Sequence, residues 1–153
     1  MANTYTSIRI HFVFAVKFRQ NLIHKSWKDE LFKYMTRIIQ NHQHKVFAIN
    51  GVEDHVHILI GMQPNQSISE LMREVKGSSS KWINGNRKTA TRFSWQEGYG
   101  AFSHSTDKIP GVVQYINDQE KHHDKKSFYM EYQQMLNHFE VEYEERYIFQ
   151  ELE

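Results

Sequence analysis

VFAINGVEDHVHILIG, residues 46–61, is the stretch on which the fold turns. Two apolar runs flank a short polar connection at Val52-Glu53-Asp54, which reads as a β-hairpin whose second strand is His55-Val56-His57-Ile58-Leu59-Ile60. Upstream, residues 6–17 alternate, with Ile8, Ile10, Phe12, Phe14 and Val16 on one side and Arg9, His11 and Lys17 on the other, the period of a half-buried strand. Between strand and hairpin, Ser26 reads as an N-cap with Asp29 and Glu30 in the first turn. Trp27, Leu31, Tyr34, Met35, Ile38 and Ile39 then recur at helical spacing to about residue 43. Downstream, Ser67-Ile68-Ser69-Glu70 is a capping box, and Leu71, Met72, Val75, Trp82 and Ile83 carry a second helix to a break at Asn84-Gly85-Asn86. The run from Phe93 to Phe102, with Gly98 and Gly100 inside it, predicts a fourth strand with a twist or bulge.

The order strand, helix, strand, strand, helix, strand is that of the split βαβ unit. It predicts an α+β, ferredoxin-like fold: an antiparallel sheet with two helices on one face, leaving the other face free for function. Pro110, Val112, Val113, Ile116 and Gln119 predict a third helix to about residue 123. A fourth begins near Ser127 and runs through Phe128, Tyr132, Met135 and Leu136. No repeat or low-complexity linker divides the chain, so residues 1–153 are expected to form one domain.

A chain of 153 residues can bury about two-thirds of the surface its unfolded form exposes. No apolar run approaches the roughly 20 residues of a membrane helix, and a polar stretch rather than a signal peptide leads into the first strand, so a cytoplasmic protein is expected. With no cysteine, disulfides, thiolate metal sites and cysteine nucleophiles are excluded, and any metal must sit on His, carboxylate or amide groups. The net charge of +1 hides a segregation. Residues 139–153 hold six acids (Glu140, Glu142, Glu144, Glu145, Glu151, Glu153) against Arg146, so by subtraction the first 138 residues carry about +6. Residues 76–92 contain Lys76, Lys81, Arg87, Lys88 and Arg92 with no acid, a cluster able to neutralise several phosphates. Charge alone does not separate that role from an ordinary solvated helix face.

His55-Val56-His57 is the most informative element, because residues i and i+2 of a strand project from one face and two imidazoles can then share an ion. The spacing alone is weak: with ten histidines in the chain, one such pair is expected about 0.6 times by chance. His42-Gln43-His44 is a second copy, but it lies at a predicted helix end, where i and i+2 do not share a face. Tyr115 and Gln119, at i and i+4, lie on one face of the third helix and bring a phenol and an amide oxygen toward one point. Tyrosine, with a pKa of about 10, needs a cation to act as a nucleophile on a phosphate at neutral pH. Tyr129 and Gln133 repeat the spacing one helix later. Trp95, Tyr99 and Phe102 can stack unpaired bases, although core packing is the more general role of such residues. Phosphate-binding, dinucleotide-binding, serine-hydrolase and zincin motifs are all missing, which disfavours nucleotide-driven and protease chemistry.

In order and spacing, several segments resemble the HUH single-tyrosine transposases of small insertion sequences, where HUH denotes two His flanking a hydrophobic residue. They are Phe12-Val13-Phe14-Ala15-Val16-Lys17-Phe18-Arg19, Asp54-His55-Val56-His57-Ile58-Leu59-Ile60, Lys76-Gly77-Ser78-Ser79-Ser80, the run from Trp95 to Phe102, and Tyr115-Ile116-Asn117-Asp118-Gln119-Glu120-Lys121-His122-His123. The resemblance covers nearly the whole chain and implies a ferredoxin-like homodimer that recognises hairpins near the ends of a single-stranded DNA element and cleaves beside them. It implies His55 and His57 as paired metal ligands, Gln119 as third ligand and Tyr115 as nucleophile. Tyr115 would stay bonded to the 5′ side, free a 3′ hydroxyl and permit rejoining without ATP. Magnesium or manganese is the implied cation, since oxygen ligands suit such ions while imidazoles tilt affinity toward softer metals. It further implies that the tyrosine helix can complete the other subunit's active site, which leaves both a trans and a cis action of Tyr115 open. Two other readings fit the same residues: a non-catalytic, domesticated nucleic-acid-binding protein of this fold, which has no need of Tyr115, and a two-histidine metallohydrolase that uses water as nucleophile.

Overall fold

The computed structural model describes residues 3–121 and 127–148. The alternating residues of the first segment form β1 (Arg9–Ala15), and the helical periodicity after it forms α1 (Lys28–Asn41). The hairpin is β2 (Lys45–Val52) and β3 (His55–Gly61), joined by a turn at Glu53 and Asp54. Then come α2 (Ile68–Gly85), β4 (Gly100–Ser103), α3 (Ile109–Asn117), α4 (Phe128–His138) and a single turn, α5 (Glu145–Ile148). The four strands make one antiparallel sheet in the order β2-β3-β1-β4, the arrangement expected of a split βαβ unit.

Register decides what each face carries. Val13 lies opposite His57 and Ala15 opposite His55, so the odd-numbered residues of β1 share a face with the two histidines. The even-numbered ones, Ile10, Phe12 and Phe14, join Val56, Ile58 and Ile60 on the opposite face. There they meet Leu31, Met35 and Ile39 of α1 and Leu71, Met72, Val75 and Ile83 of α2 in the main core. Burying each such side chain stabilises the fold by roughly 1.5–3 kcal/mol, and this core makes the sheet a rigid platform for its other face.

That other face is not free, contrary to the expectation from the six-element unit alone. Ile109 and Ile116 of α3 pack on Ala48 and Leu59, while Phe128 and Leu136 of α4 pack on Val13, Ala15 and Phe102. The apolar stripes of the two C-terminal helices needed a partner, and the uncovered sheet supplies it.

Local departures have local causes. Ser67 caps α2 by accepting from the Glu70 amide at 3.1 Å, as its motif predicts. Ser26 does not cap α1: its hydroxyl pairs with His24 Nδ1 at 3.0 Å, and Trp27 occupies the cap position. The fourth strand is four residues long rather than running from Phe93, with Val16 and Trp95 bridging upstream of it. Gly98 at φ 81° turns the chain, and a Cβ on Gly100 would stand 2.8 Å from the Tyr132 ring, so both positions require glycine. The aromatics of this segment serve the core, with Trp95 and Phe102 buried and the Trp95 indole donating to Ser79 at 2.9 Å. Base stacking by those two rings is thereby excluded. α3 stops at Asn117, Asp118 breaks the helical geometry, and helix resumes at residues 119–121. His122 and His123 of the sequence motif, and Glu151 and Glu153 of the acidic tail, lie outside the described residues. Among the described residues, no helix is long and apolar enough to cross a membrane.

Candidate active site

His55 and His57 project from β3 beneath α3 and α4, and both are fully buried. Each ring is held through Nδ1. His55 Nδ1 donates to Asp54 Oδ1 at 2.7 Å, and His57 Nδ1 lies 2.8 Å from Nε2 of His11, a buried residue of the neighbouring strand. Both Nε2 atoms therefore face one point. The ring of Phe128, at the start of α4, stacks flat on His55 with centroids 3.8 Å apart.

Two further side chains arrive there. Gln119, just beyond the break after α3, places Oε1 3.0 Å from His55 Nε2. Glu131 of α4 accepts from His57 Nε2 at 2.8 Å and lies 3.6 Å from His55 Nε2 through the same oxygen. The Tyr115 phenol stands close enough to Glu131 and Gln119 for both to act on its titration, and its ring lies 5.7 Å from that of His57. One chain thus brings together all four residues singled out in the sequence, His55, His57, Tyr115 and Gln119.

Glu131 was missed in the sequence reading, which followed the spacing of Tyr115 and Gln119 and stopped at the third helix. The signal was available: Glu131 sits one turn from Phe128 on the face that α4 buries, and a carboxylate there requires a charged partner. The repeated pairs lie elsewhere. Gln133 donates to Glu145 at 3.3 Å and Tyr129 stacks under Arg19, while His42 pairs with Glu74 and His44 with Gln66 at the far end of α1.

The electrostatics are those of a tightly coupled cluster. Burial alone would depress His55, but its hydrogen bonds to Asp54 and Glu131, with their charges, raise it to about 9. Burial likewise works against the Glu131 carboxylate, yet the hydrogen bonds from His55 and His57 hold it well below the usual carboxylate range. Burial, then the charge of Glu131, push the Tyr115 phenol well above its ordinary value. Desolvation lowers His11, and its histidine neighbours His57 and His104 lower it further.

The donor set fits a divalent cation. Two imidazole nitrogens, an amide oxygen and a carboxylate oxygen converge, with neighbouring donors 2.8, 3.0 and 3.6 Å apart. Donors on adjacent corners around an ion with ligand distances of about 2.1 Å stand about 3 Å apart. His55, His57 and Glu131 form a buried group able to hold a metal. On its other side Tyr115 lines a groove of about 480 Å³ with His11, His104, Lys108, His138 and Phe139, and no carboxylate lines it among the described residues.

The basic stretch splits in space. Lys76 is engaged within the fold: its ammonium donates to the carbonyls of Gln96 and Gly98 at 2.7 Å each, and burial lowers it to about 8. Lys88 pairs with Glu30 at 3.4 Å and lies over Trp82. Lys81, Arg87 and Arg92 are exposed. Lys81 and Arg92 line a groove that also includes Glu97, so the stretch is acid-free along the chain but not in space.

The model of the family described as "Transposase IS200 like" matches residues 4–119. The transposase for insertion sequence element IS200 from Salmonella typhimurium strain LT2 is 23% identical over 128 residues, 79% of this chain and 84% of that protein. A crystal structure of a candidate transposase from Deinococcus radiodurans R1 superposes with a TM-score of 0.62 at 20% identity, over 78% of this chain and 95% of that one. A REP-associated tyrosine transposase bound to a REP hairpin superposes with a TM-score of 0.57 at 15% identity, over 77% and 70% of the two chains. At such identities the superpositions bear on the fold, which they share. Glu131 lies beyond the segment that the family model matches.

Proposed function

The chain belongs to the IS200-like transposase family, and from that premise we propose that it cuts and rejoins single-stranded DNA with Tyr115 as nucleophile and a divalent cation held by His55, His57, Gln119 and Glu131. The observation that carries this reading is the convergence, within one chain, of the Tyr115 hydroxyl with Gln119 and Glu131, which in turn touch both histidines.

In the proposed reaction the Tyr115 oxygen attacks a phosphorus and the bond to the 3′ oxygen breaks. The 5′ phosphate is left on the tyrosine; the phenol loses one proton and the departing 3′ oxygen gains one. Since the phosphodiester is exchanged rather than hydrolysed, a second 3′ hydroxyl can reverse the step and join a new strand. This chain's residues set the conditions. Burial and Glu131 both oppose the phenolate, so Tyr115 is a poor nucleophile while that carboxylate charge stands uncompensated. A divalent ion would offset it and polarise a phosphate oxygen. Glu131 gives the site a second oxygen donor and a negative charge, which favours a hard ion such as magnesium or manganese over what two imidazoles prefer. The groove beyond Tyr115, with its lysine and histidines, admits a phosphate-bearing strand to the hydroxyl.

The reading includes a homodimer and hairpin-ended DNA as partner, in keeping with the resemblance and with the relative that binds a REP hairpin. It assigns the chemistry to each chain's own tyrosine, because Tyr115 already reaches the Gln119 and Glu131 of its own chain. Lys81, Arg87 and Arg92 are its phosphate contacts.

The test uses single-stranded oligonucleotides carrying the hairpin-forming flanks of the gene, incubated with manganese or magnesium and resolved under denaturing conditions. The expected product is a covalent protein–DNA adduct with a free 3′ end on the other fragment, lost in Tyr115→Phe and on chelation. Hairpin binding without an adduct would overturn the catalytic reading and leave a binding protein. Hydrolysis that survives Tyr115→Phe would replace it with a metallohydrolase.

A further inference from the structure

His11 lies outside the ligand set, yet it is buried and touches one ligand directly. In the β1–β3 register Val13 is opposite His57 and His11 opposite Leu59, so the two histidines are diagonal neighbours on one face, with Nε2 of His11 2.8 Å from Nδ1 of His57. His55 has a different partner, the carboxylate of Asp54. A carboxylate can only accept, whereas an imidazole presents one nitrogen that donates or accepts according to its tautomer.

This difference matters because His57 must play two parts. In the neutral ring the hydrogen bond to Glu131 Oε1 puts the proton on Nε2, so Nδ1 accepts, and the donor is Nε2–H of His11. A cation on His57 requires the Nε2 lone pair, so the proton must sit on Nδ1 and donate, and Nε2 of His11 must accept. The proton count balances. In the first arrangement each ring carries one proton, on Nε2; in the second each carries one, on Nδ1. No proton is gained or lost by the pair, and no carboxylate or apolar group at position 11 could serve in both.

We propose that His11 is a positioning residue for metal loading, an amphoteric partner that lets His57 pass from Glu131 to a cation while its ring stays hydrogen-bonded and in place. The inference rests on the metal site proposed above and adds to it a residue that would not touch the ion.

The experiment measures binding and tautomer on the full-length protein without DNA. Manganese affinity is measured by titration for the wild type, His11→Phe, His11→Asp and His11→Gln, and the ring nitrogens of His57 are followed by long-range nitrogen–proton NMR with and without zinc as a diamagnetic ion. In the wild type the His57 proton should move from Nε2 to Nδ1 on zinc addition. His11→Phe should weaken manganese binding by about 10- to 100-fold, the usual effect of removing an outer partner of a ligand histidine. His11→Gln, whose amide can turn either its NH₂ or its oxygen to His57, should restore binding to within a few-fold, and the acceptor-only His11→Asp should leave His57 on Nδ1–H before any ion is added. Should His11→Phe misfold, the wild-type tautomer shift and the Gln variant still decide the question. Wild-type binding with no change of tautomer, or a folded His11→Phe that binds manganese as the wild type does, would overturn the role of His11. Failure of the wild type to bind any divalent ion would instead sink the metal site itself.

Discussion

Replacing Asp54 by Asn removes the carboxylate that accepts from His55 Nδ1 at 2.7 Å, and the structure sets what should follow. Against burial, that hydrogen bond is the first of the contributions that raise His55 to about 9. A cation on His55 Nε2 must displace a proton, so below that value the apparent affinity should rise about tenfold for each pH unit. From pH 7 to 9 the gain is about 100-fold, or about 2.7 kcal/mol at 1.36 kcal/mol per unit. In Asp54→Asn the proton is held less tightly, so the rise should end at a lower pH. The plateau itself should be lower by about tenfold, because the imidazole is also a weaker ligand without the carboxylate behind it. The two profiles should therefore approach each other near pH 7 and diverge above it. The same linkage sets a stability term: a group raised on folding stabilises fully below its unfolded value of about 6.5, and that stabilisation is lost as pH climbs through about 9. Manganese titration across pH 6.5–9, in oxygen-free buffer, with thermal melts of both proteins at each pH, makes the comparison. A wild-type affinity that is flat across this range, or identical slopes and plateaus in the two proteins, would refute the coupling of His55 to Asp54 and to the ion.

Four other outcomes are expected. Glu131→Gln removes the negative donor while keeping its shape, and should weaken manganese binding by about 10- to 100-fold and lower the Tyr115 titration toward that of a free phenol, followed by ultraviolet absorbance. Mixing Tyr115→Phe subunits with His55→Ala subunits should yield no covalent adduct, since each chain brings its tyrosine to its own histidines; recovery of activity in the mixed dimer would show that the helix crosses between subunits. Lys81→Ala with Arg92→Ala should reduce the salt dependence of DNA binding by about two phosphate contacts. Lys76→Ala should instead lower the melting temperature, because its ammonium ties down the Gln96 and Gly98 carbonyls.

The split βαβ order was legible because each element carried a strong periodic signal: β1 alternates over its whole length, and α2 opens on a complete capping motif. Where the chain follows tertiary demands the signal fades. Between Trp95 and Phe102 the chain turns at Gly98, with φ 81°, and a Cβ at Gly100 would meet the Tyr132 ring, neither of which a strand pattern shows. Reading six elements as a finished fold also left the histidine face open, although the apolar stripes of the last two helices had nowhere else to pack. That burial carries the chemistry. Two histidines on an exposed strand would be ordinary surface groups. Beneath α3 and α4 they lose solvent, acquire Asp54 and His11 behind them and Gln119 and Glu131 in front, and have their Nε2 atoms aimed at one point. Burial that deep is tolerable only where every polar atom finds a partner, and Glu131, a charged residue on an otherwise apolar helix face, is the partner that a search for buried charge rather than for motif spacing would have found.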